Sequence, residues 1–248
     1  MAFFDFKVEE KKINDILHSK TAIEKLTNIP SDESQFTYEN GIKTWVGSLF
    51  VDIRDSSNYF KNNKEEIVAR IMRAFCSEII HILNQNSNYR EIGIRGDCVF
   101  AIYTAPYKKD LEGILDDAEM IVSFNKMFQT ILKDNNMPQF CIGIGLGASE
   151  DLVIKAGKKG TGINDFIWIG DAVVNASKLS SQGNKDGFSD IVMDSCFYKN
   201  IKDFNMNENK KYNSVFNSKY SNILKETVYH GSVYYTDVDT WENKHYEK

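Results

Sequence analysis

Two aspartates in apolar surroundings are the residues most able to do chemistry. Residues 47–57 read G-S-L-F-V-D-I-R-D-S-S, with Asp52 near the end of an apolar run. Residues 89–103 read Y-R-E-I-G-I-R-G-D-C-V-F-A-I-Y, with Asp97 at a Gly-Asp corner between two runs rich in β-branched and aromatic side chains. The second pattern predicts a tight β-hairpin. An Asp at a hairpin tip is ordinary as a solvated turn residue. An Asp inside an apolar strand is not, because burying a lone carboxylate is costly. Two such carboxylates on adjacent strands could share a divalent metal with hard oxygen ligands. Ser56 and Ser57 follow Asp52 and can open a helix whose first amides suit a phosphate. Asp55 reads as a helix cap or a third ligand.

The elements that must position these groups follow from periodicity. A strand is predicted over residues 44–53. An amphipathic helix over 62–84 carries Ile67, Ile71, Phe75, Ile79 and Leu83 at four-residue spacing. The hairpin is next, then a helix over 111–133 and a strand over 140–147. The order β-α-β-β-α-β is that of an α+β, ferredoxin-like core, a fold that supports many unrelated activities. Beyond it lies a C-terminal extension. There, residues 151–162 read as a short strand and Lys-Gly turn, 166–169 as a strand, 171–181 as a helix and 191–193 as a strand. A short helix starts at Asp194, a flexible arm spans 203–222, and a strand or hairpin covers 226–237 before a frayed end. Residues 1–40 read as an N-terminal helical appendage and linker that packs on the core or on a partner subunit. Residues 41–248 read as the main domain.

Composition excludes several classes. The 248 residues are 42% hydrophobic with a net charge of −5, which gives no basic footprint for nucleic acid. No apolar run approaches membrane-spanning length, and the acidic N-terminus does not read as a secretory signal. Cys76, Cys98, Cys141 and Cys196 are scattered and form no C-x-x-C. They read as reduced, mostly buried thiols of a cytoplasmic protein, and the dispersed histidines disfavour zinc.

The F-V-D-I-R-D-S-S run, the helix after it and I-R-G-D-C-V-F-A together resemble the class III nucleotidyl cyclase catalytic domain over roughly residues 43–200. That resemblance implies a reaction and its machinery. The ribose 3′-hydroxyl attacks the α-phosphorus of the same nucleoside triphosphate and diphosphate leaves. Two divalent metals per site, Mn²⁺ or Mg²⁺, are held by Asp52, Asp97 and the Ile53 carbonyl. One activates the hydroxyl; the other offsets charge on the leaving group. Amides of residues 54–57 hold phosphates. The family's sites lie at a dimer interface, so a homodimer with two equivalent sites is implied.

Departures from the family pattern bear on the base. Purine cyclases read it through a polar side chain at the position of Gly93 and another at that of Ile167. Neither residue here can hydrogen-bond a purine edge. The pocket instead offers Phe50, Arg95 and Trp168, and Arg95 could bond a pyrimidine O2 or O4. In V-V-N-A-S-K, Lys178 falls at the family's phosphate-binding position and Val174 at that of its ribose-aligning Asn, which Asn175 could replace. Lys225 is a further phosphate-contact candidate. These features resemble the pyrimidine cyclases of bacterial anti-phage defence. That implies UTP or CTP as substrate, with UTP favoured, and a cyclic product acting on a separate effector. An adenylate cyclase with an altered base pocket and an inactive nucleotide-binding sensor stand as alternatives.

Overall fold

The computed structural model describes residues 4–158, 161–207 and 210–246. In chain order, α1 is Phe6–Leu17, β1 Ala22–Lys25, β2 Asn40–Ile53, α2 Ser56–Asn62, α3 Glu65–Leu83, β3 Tyr89–Arg95, β4 Cys98–Thr104 and α4 Lys108–Asp134. There follow β5 Ile142–Gly157, β6 Asn164–Ile169, α5 Asp171–Ser180, β7 Ile191–Met193 and α6 Ser195–Ile201. The chain ends with β8 Asn205–Asn207, β9 Lys210–Lys211, β10 Asn217–Ser221, β11 Glu226–Gly231 and α7 Asp237–Tyr246. The β-α-β-β-α-β core is the expected one, in a mostly antiparallel sheet of order β10-β11-β7-β5-β2-β4-β3.

Two long strands form the spine. β2 and β5 pair antiparallel from Gly41–Ile154 to Ile53–Ile142. The first half of β2 also takes β1 in parallel, and its second half takes β4. β5 likewise takes β7 near its start and β6 near its end. The predicted fourth strand therefore runs on through residues 151–157, which read as a separate strand and turn. One face of the sheet is closed by α3 and α4 over an apolar core with Phe75, Phe124, Phe128 and Phe140 in edge and stacked contact. Burial of these rings is the main stabilising term of that layer.

The other face is closed by α5 in a different way. Residues 142–147 read I-G-I-G-L-G, so the glycines of β5 share one face of the sheet. A Cβ on Gly143, Gly145 or Gly147 would run into the carbonyl oxygen of Ser180, Ala176 or Ala172 respectively. The glycine row is thus a groove in which the helix backbone lies, and small residues at four-residue spacing complete the fit. Ser48 Oγ donates to the Ala172 carbonyl at 2.6 Å. At the helix start, the amides of Asp171 and Ala172 donate to Ser149 Oγ at 3.1 and 2.7 Å. Gly170 is bare because a Cβ there would strike the buried Asp151 carboxylate. These contacts fix the register of every side chain that α5 presents.

Several expectations are corrected. The expected helix over 62–84 is α3, and the short α2 before it is opened by Ser56 and Ser57. Residues 22–25 form strand β1 where helix was expected, and the stretch after them is not a plain linker. Ile29 and Phe36 are buried against Phe50, Phe100, Phe166 and Trp168. Helix α1 buries no side chain. The arm 203–222 is held by Tyr212 and Phe216, both buried, and carries β8 to β10; residues 208 and 209 lie outside the described residues. The end is helix α7, tied to α4 by Lys126–Asp239 at 2.6 Å and Thr130–Glu242 at 2.8 Å. Cys141 is exposed and the other three thiols are half-buried, all unpaired. Among the described residues no helix is long and apolar enough to cross a membrane.

Candidate active site

Asp52 sits one residue before the end of β2, and Asp97 in the two-residue turn joining β3 to β4. Gly96 holds the first turn position at φ +67°, a conformation in which a Cβ is unfavourable. Because Val51 pairs with Val99, the end of β2 lies beside that turn. The two carboxylates come within hydrogen-bonding reach of each other. Burial raises the pKa of Asp52; the Arg54 guanidinium pulls it back and Asp97 pushes it up. Arg54 makes an ion pair with Asp52 and leaves its own Nε buried without a partner.

Adjacent like charges in a half-buried site call for a cation. Two carboxylates with the neighbouring Ile53 carbonyl are a hard-oxygen donor set, which fits Mg²⁺ or Mn²⁺ and not zinc. Among the described residues no three His, Cys, Asp or Glu side chains converge on one point.

A pocket of about 520 Å³ opens beside Asp52, lined by Ile53, Arg54, Asp55, Ser56, Ser57 and Lys185 among others. The Arg54 amide is spent on the Cys141 carbonyl at 2.8 Å. Of the amides over 54–57, that of Arg54 is thus already taken, and Ser56 and Ser57 stand in the first turn of α2. Asp55 is the residue before that turn, at φ 53°, and its carboxylate accepts from Asn58 Nδ2 at 2.8 and 3.0 Å. It reads as a local brace.

A second pocket of about 490 Å³ lies on the α5 face of the sheet. Phe50, Glu91, Arg95 and Phe100 line one side; Asp165, Trp168, Val174, Ser177 and Lys178 line the other. Phe50 and Phe100 stack with ring centroids 5.0 Å apart. The bareness of Gly93 has a cause: a Cβ there would lie 2.5 Å from Phe100 Cζ. Where the purine cyclases place a polar reader, this chain places an aromatic ring. Trp168 points inward from β6, while Ile167, its neighbour on the pocket rim, is exposed.

Asn175 turns toward α6. Its Nδ2 donates to Asp194 Oδ2 at 3.2 Å, and Val174, Ser177 and Lys178 face the pocket in its stead. Asp194 is buried and caps α6 through the Phe197 amide at 2.7 Å. Lys225 stands in the turn between β10 and β11, at the sheet edge opposite β3, apart from both pockets.

Sequence reasoning missed Glu91 and Ser177. Both were findable. Residues 91, 93 and 95 alternate onto one face of β3, and that face was already marked by Gly93 and Arg95. Ser177 lies three residues after Val174, on the same side of α5.

No family model matches the chain. A protein of Treponema porcinum named uridylate cyclase is 42% identical over 212 residues, 85% of this chain and 74% of that protein. A second uridylate cyclase, from Gulbenkiania mobilis, is 30% identical over 253 residues and covers 97% of each chain. Among solved structures, the adenylyl cyclase CyaB of P. aeruginosa superimposes with a TM-score of 0.64 at 18% identity, over 77% of this chain and 95% of that one; a likeness at that identity speaks for the fold. The two sequence relatives span most of the chain, including both aspartate motifs, and on them the chain belongs to the class III nucleotidyl cyclases.

Proposed function

We propose that the protein is a uridylate cyclase: it converts UTP to the 3′,5′-cyclic monophosphate and diphosphate. The observation that carries this reading is the second pocket. It presents stacked aromatic rings and the Arg95 fork where purine readers would stand, beside an Asp pair suited to divalent metal. The names of the two relatives point to the same base.

Asp52, Asp97 and the Ile53 carbonyl would hold two Mn²⁺ or Mg²⁺ ions. When bound, the metals lower the pKa of the ribose 3′-hydroxyl and offset charge on the departing diphosphate. The chain's own residues do the rest. The Ser56 and Ser57 amides at the α2 entrance bind phosphate oxygens. Lys178, exposed on α5, supplies a further cation to the phosphates. Phe50 and Phe100 form an apolar wall for the base, and Arg95 donates to a base carbonyl. Ser177 takes the ribose side that Val174 cannot serve. The Asp pocket and the base pocket are separate openings in one chain, which fits a homodimer in which one protomer's pocket meets its partner's Asp pair. By likeness to the pyrimidine cyclases of anti-phage defence, the protein acts in the cytoplasm and its product signals to a separate effector.

The test is incubation of the purified protein with Mn²⁺ and each of ATP, GTP, CTP and UTP separately, with products resolved by mass. Cyclic UMP is expected. Cyclic AMP would keep the chemistry and discard the base assignment. A second reading, a nucleotide-binding sensor, draws on Asn175 being turned away to Asp194; tight UTP binding without diphosphate release would favour it.

A further inference from the structure

We propose that Glu91 reads the base together with Arg95: its carboxylate accepts the N3–H of a uracil ring while the guanidinium donates to a neighbouring carbonyl oxygen. This rests on the pyrimidine cyclase reading above and names the group that would separate uracil from cytosine.

Three features support it. The first is position. Glu91 pairs with Ile102, Gly93 with Phe100 and Arg95 with Cys98 across the β3–β4 ladder. Partners across a ladder share a face, so Glu91, Gly93 and Arg95 form a row on the pocket side, with the Phe100 ring covering the middle position. An acceptor and a donor thus flank an aromatic platform of base size.

The second is orientation. Trp168 Nε1 donates to Glu91 Oε2 at 2.7 Å across the pocket. This is the one hydrogen bond of that carboxylate among the described residues, and its other oxygen remains free to accept. A neutral acceptor would hold the indole at lower cost, since burying charge is unfavourable. Burial raises the pKa of Glu91 and the Asp165 charge adds to the rise, while the Trp168 hydrogen bond and the Arg95 charge act the other way.

The third is chemistry. An ionised carboxylate only accepts, and a guanidinium only donates. The imide edge of uracil offers one donor between two acceptors and matches the pair. The O2–N3 edge of cytosine offers two acceptors and sets a lone pair against the carboxylate. Asp165 lines the same pocket but is exposed, so its charge is better solvated and less selective.

Calorimetric titration in the presence of Mn²⁺ tests this with UTP, CTP and 3-methyl-UTP, which lacks the N3–H. Wild type, Glu91→Ala and Glu91→Gln are compared, with thermal melts to confirm folding. In wild type, N3-methylation should weaken binding at least about tenfold, the range for a hydrogen bond to a charged group. In Glu91→Ala the same methylation should cost less than about twofold, because the contact is already gone. Glu91→Gln keeps the volume and an acceptor for Trp168, and its amide can donate to cytosine N3. It should lower the UTP-over-CTP ratio about tenfold. Equal methylation penalties in wild type and Glu91→Ala would overturn the inference. So would failure of UTP to bind. A turnover assay on the same samples keeps the two readings apart. Coupled binding without cyclic product removes the cyclase reading and leaves Glu91 as base reader; product formation with additive penalties does the reverse.

Discussion

The Asp pocket and the base pocket are built by opposite strategies. Asp52, Ile53, Ser56 and Ser57 come from one strand end and the helix that follows, and Asp97 from the one turn beside them. Local backbone places nearly every group. The base pocket draws Phe50 from β2, Arg95 from β3, Phe100 from β4, Trp168 from β6 and Lys178 from α5. The sheet ladders hold the four strand residues, and the seating of the α5 backbone in the glycine groove of β5 decides where Lys178 stands against them. On the uridylate cyclase reading proposed above, chemistry common to all substrates sits on the part that needs least assembly, and selectivity sits where small packing changes can alter it.

The first way to break this contrast is Asp97→Asn. It should remove turnover with every triphosphate alike, by roughly a thousandfold, as expected when a group that stabilises developing charge is lost. Melting should be unaffected, since the residue is half-exposed at a turn. Equal residual activity across bases, measured by product mass, is the signature. A base-dependent loss would mean that the two regions are not separable.

The second acts on the opposite region. In Gly145→Ala the new Cβ would meet the carbonyl oxygen of Ala176, and backbone on both sides cannot yield cheaply. We expect about 3 kcal/mol of lost stability by urea denaturation, the upper end for overpacking. KM should rise more than kcat falls, because α5 carries base and phosphate contacts and not the metal pair. A variant that melts normally with unchanged KM would refute the groove as the organiser of the base pocket.

The contrast also explains what could be read from the chain alone. The Asp pair, the core order and the α5 span were legible because each signal is local: a strand end, a Gly-Asp turn, a four-residue period. Glu91 was not singled out, since its meaning depends on Trp168, 77 residues away, crossing the pocket to it. Residues 22–25 read as helix because their strand character comes from pairing with β2, and pairing leaves little trace in so short a run. Tyr212 and Phe216 lie among Asn and Lys in a stretch without a period, so their anchoring role emerges only once the core they enter exists. Asn175 is a related case. Its type fitted the family role, and only the register of α5 on its groove decides which way it faces.

Arg95→Ala sharpens the comparison at intermediate size. It should cut kcat/KM for the favoured base about tenfold to a hundredfold, the range for losing a hydrogen bond to a charged group. Other bases should lose less, in competition assays with mixed triphosphates. A uniform loss would move Arg95 from base reading to phosphate binding.

The smallest expected effect concerns Asn175, and its sign depends on pH. Burial lifts the Asp194 pKa against the hydrogen bonds of the Phe197 amide, Asn175 and the Ala148 amide, and it stands at about 6. The folded value lies above the unfolded one of about 3.9. The folded state therefore binds this proton more tightly than the unfolded chain. The resulting contribution to stability is fully present below the unfolded pKa and is lost as pH rises through about 6. Asn175→Ala removes a donor to the ionised form, which moves the folded pKa further up and extends that loss to higher pH. Chemical denaturation should find the variant about 1 kcal/mol less stable than wild type at pH 8, the worth of one such bond. The two should converge near pH 4, where Asp194 is protonated in both. Turnover at permissive temperature should barely change, because the side chain faces Asp194 and not the pocket. A collapse of kcat with normal melting would put Asn175 back on the ribose, and α5 would then have to turn on its groove when substrate binds.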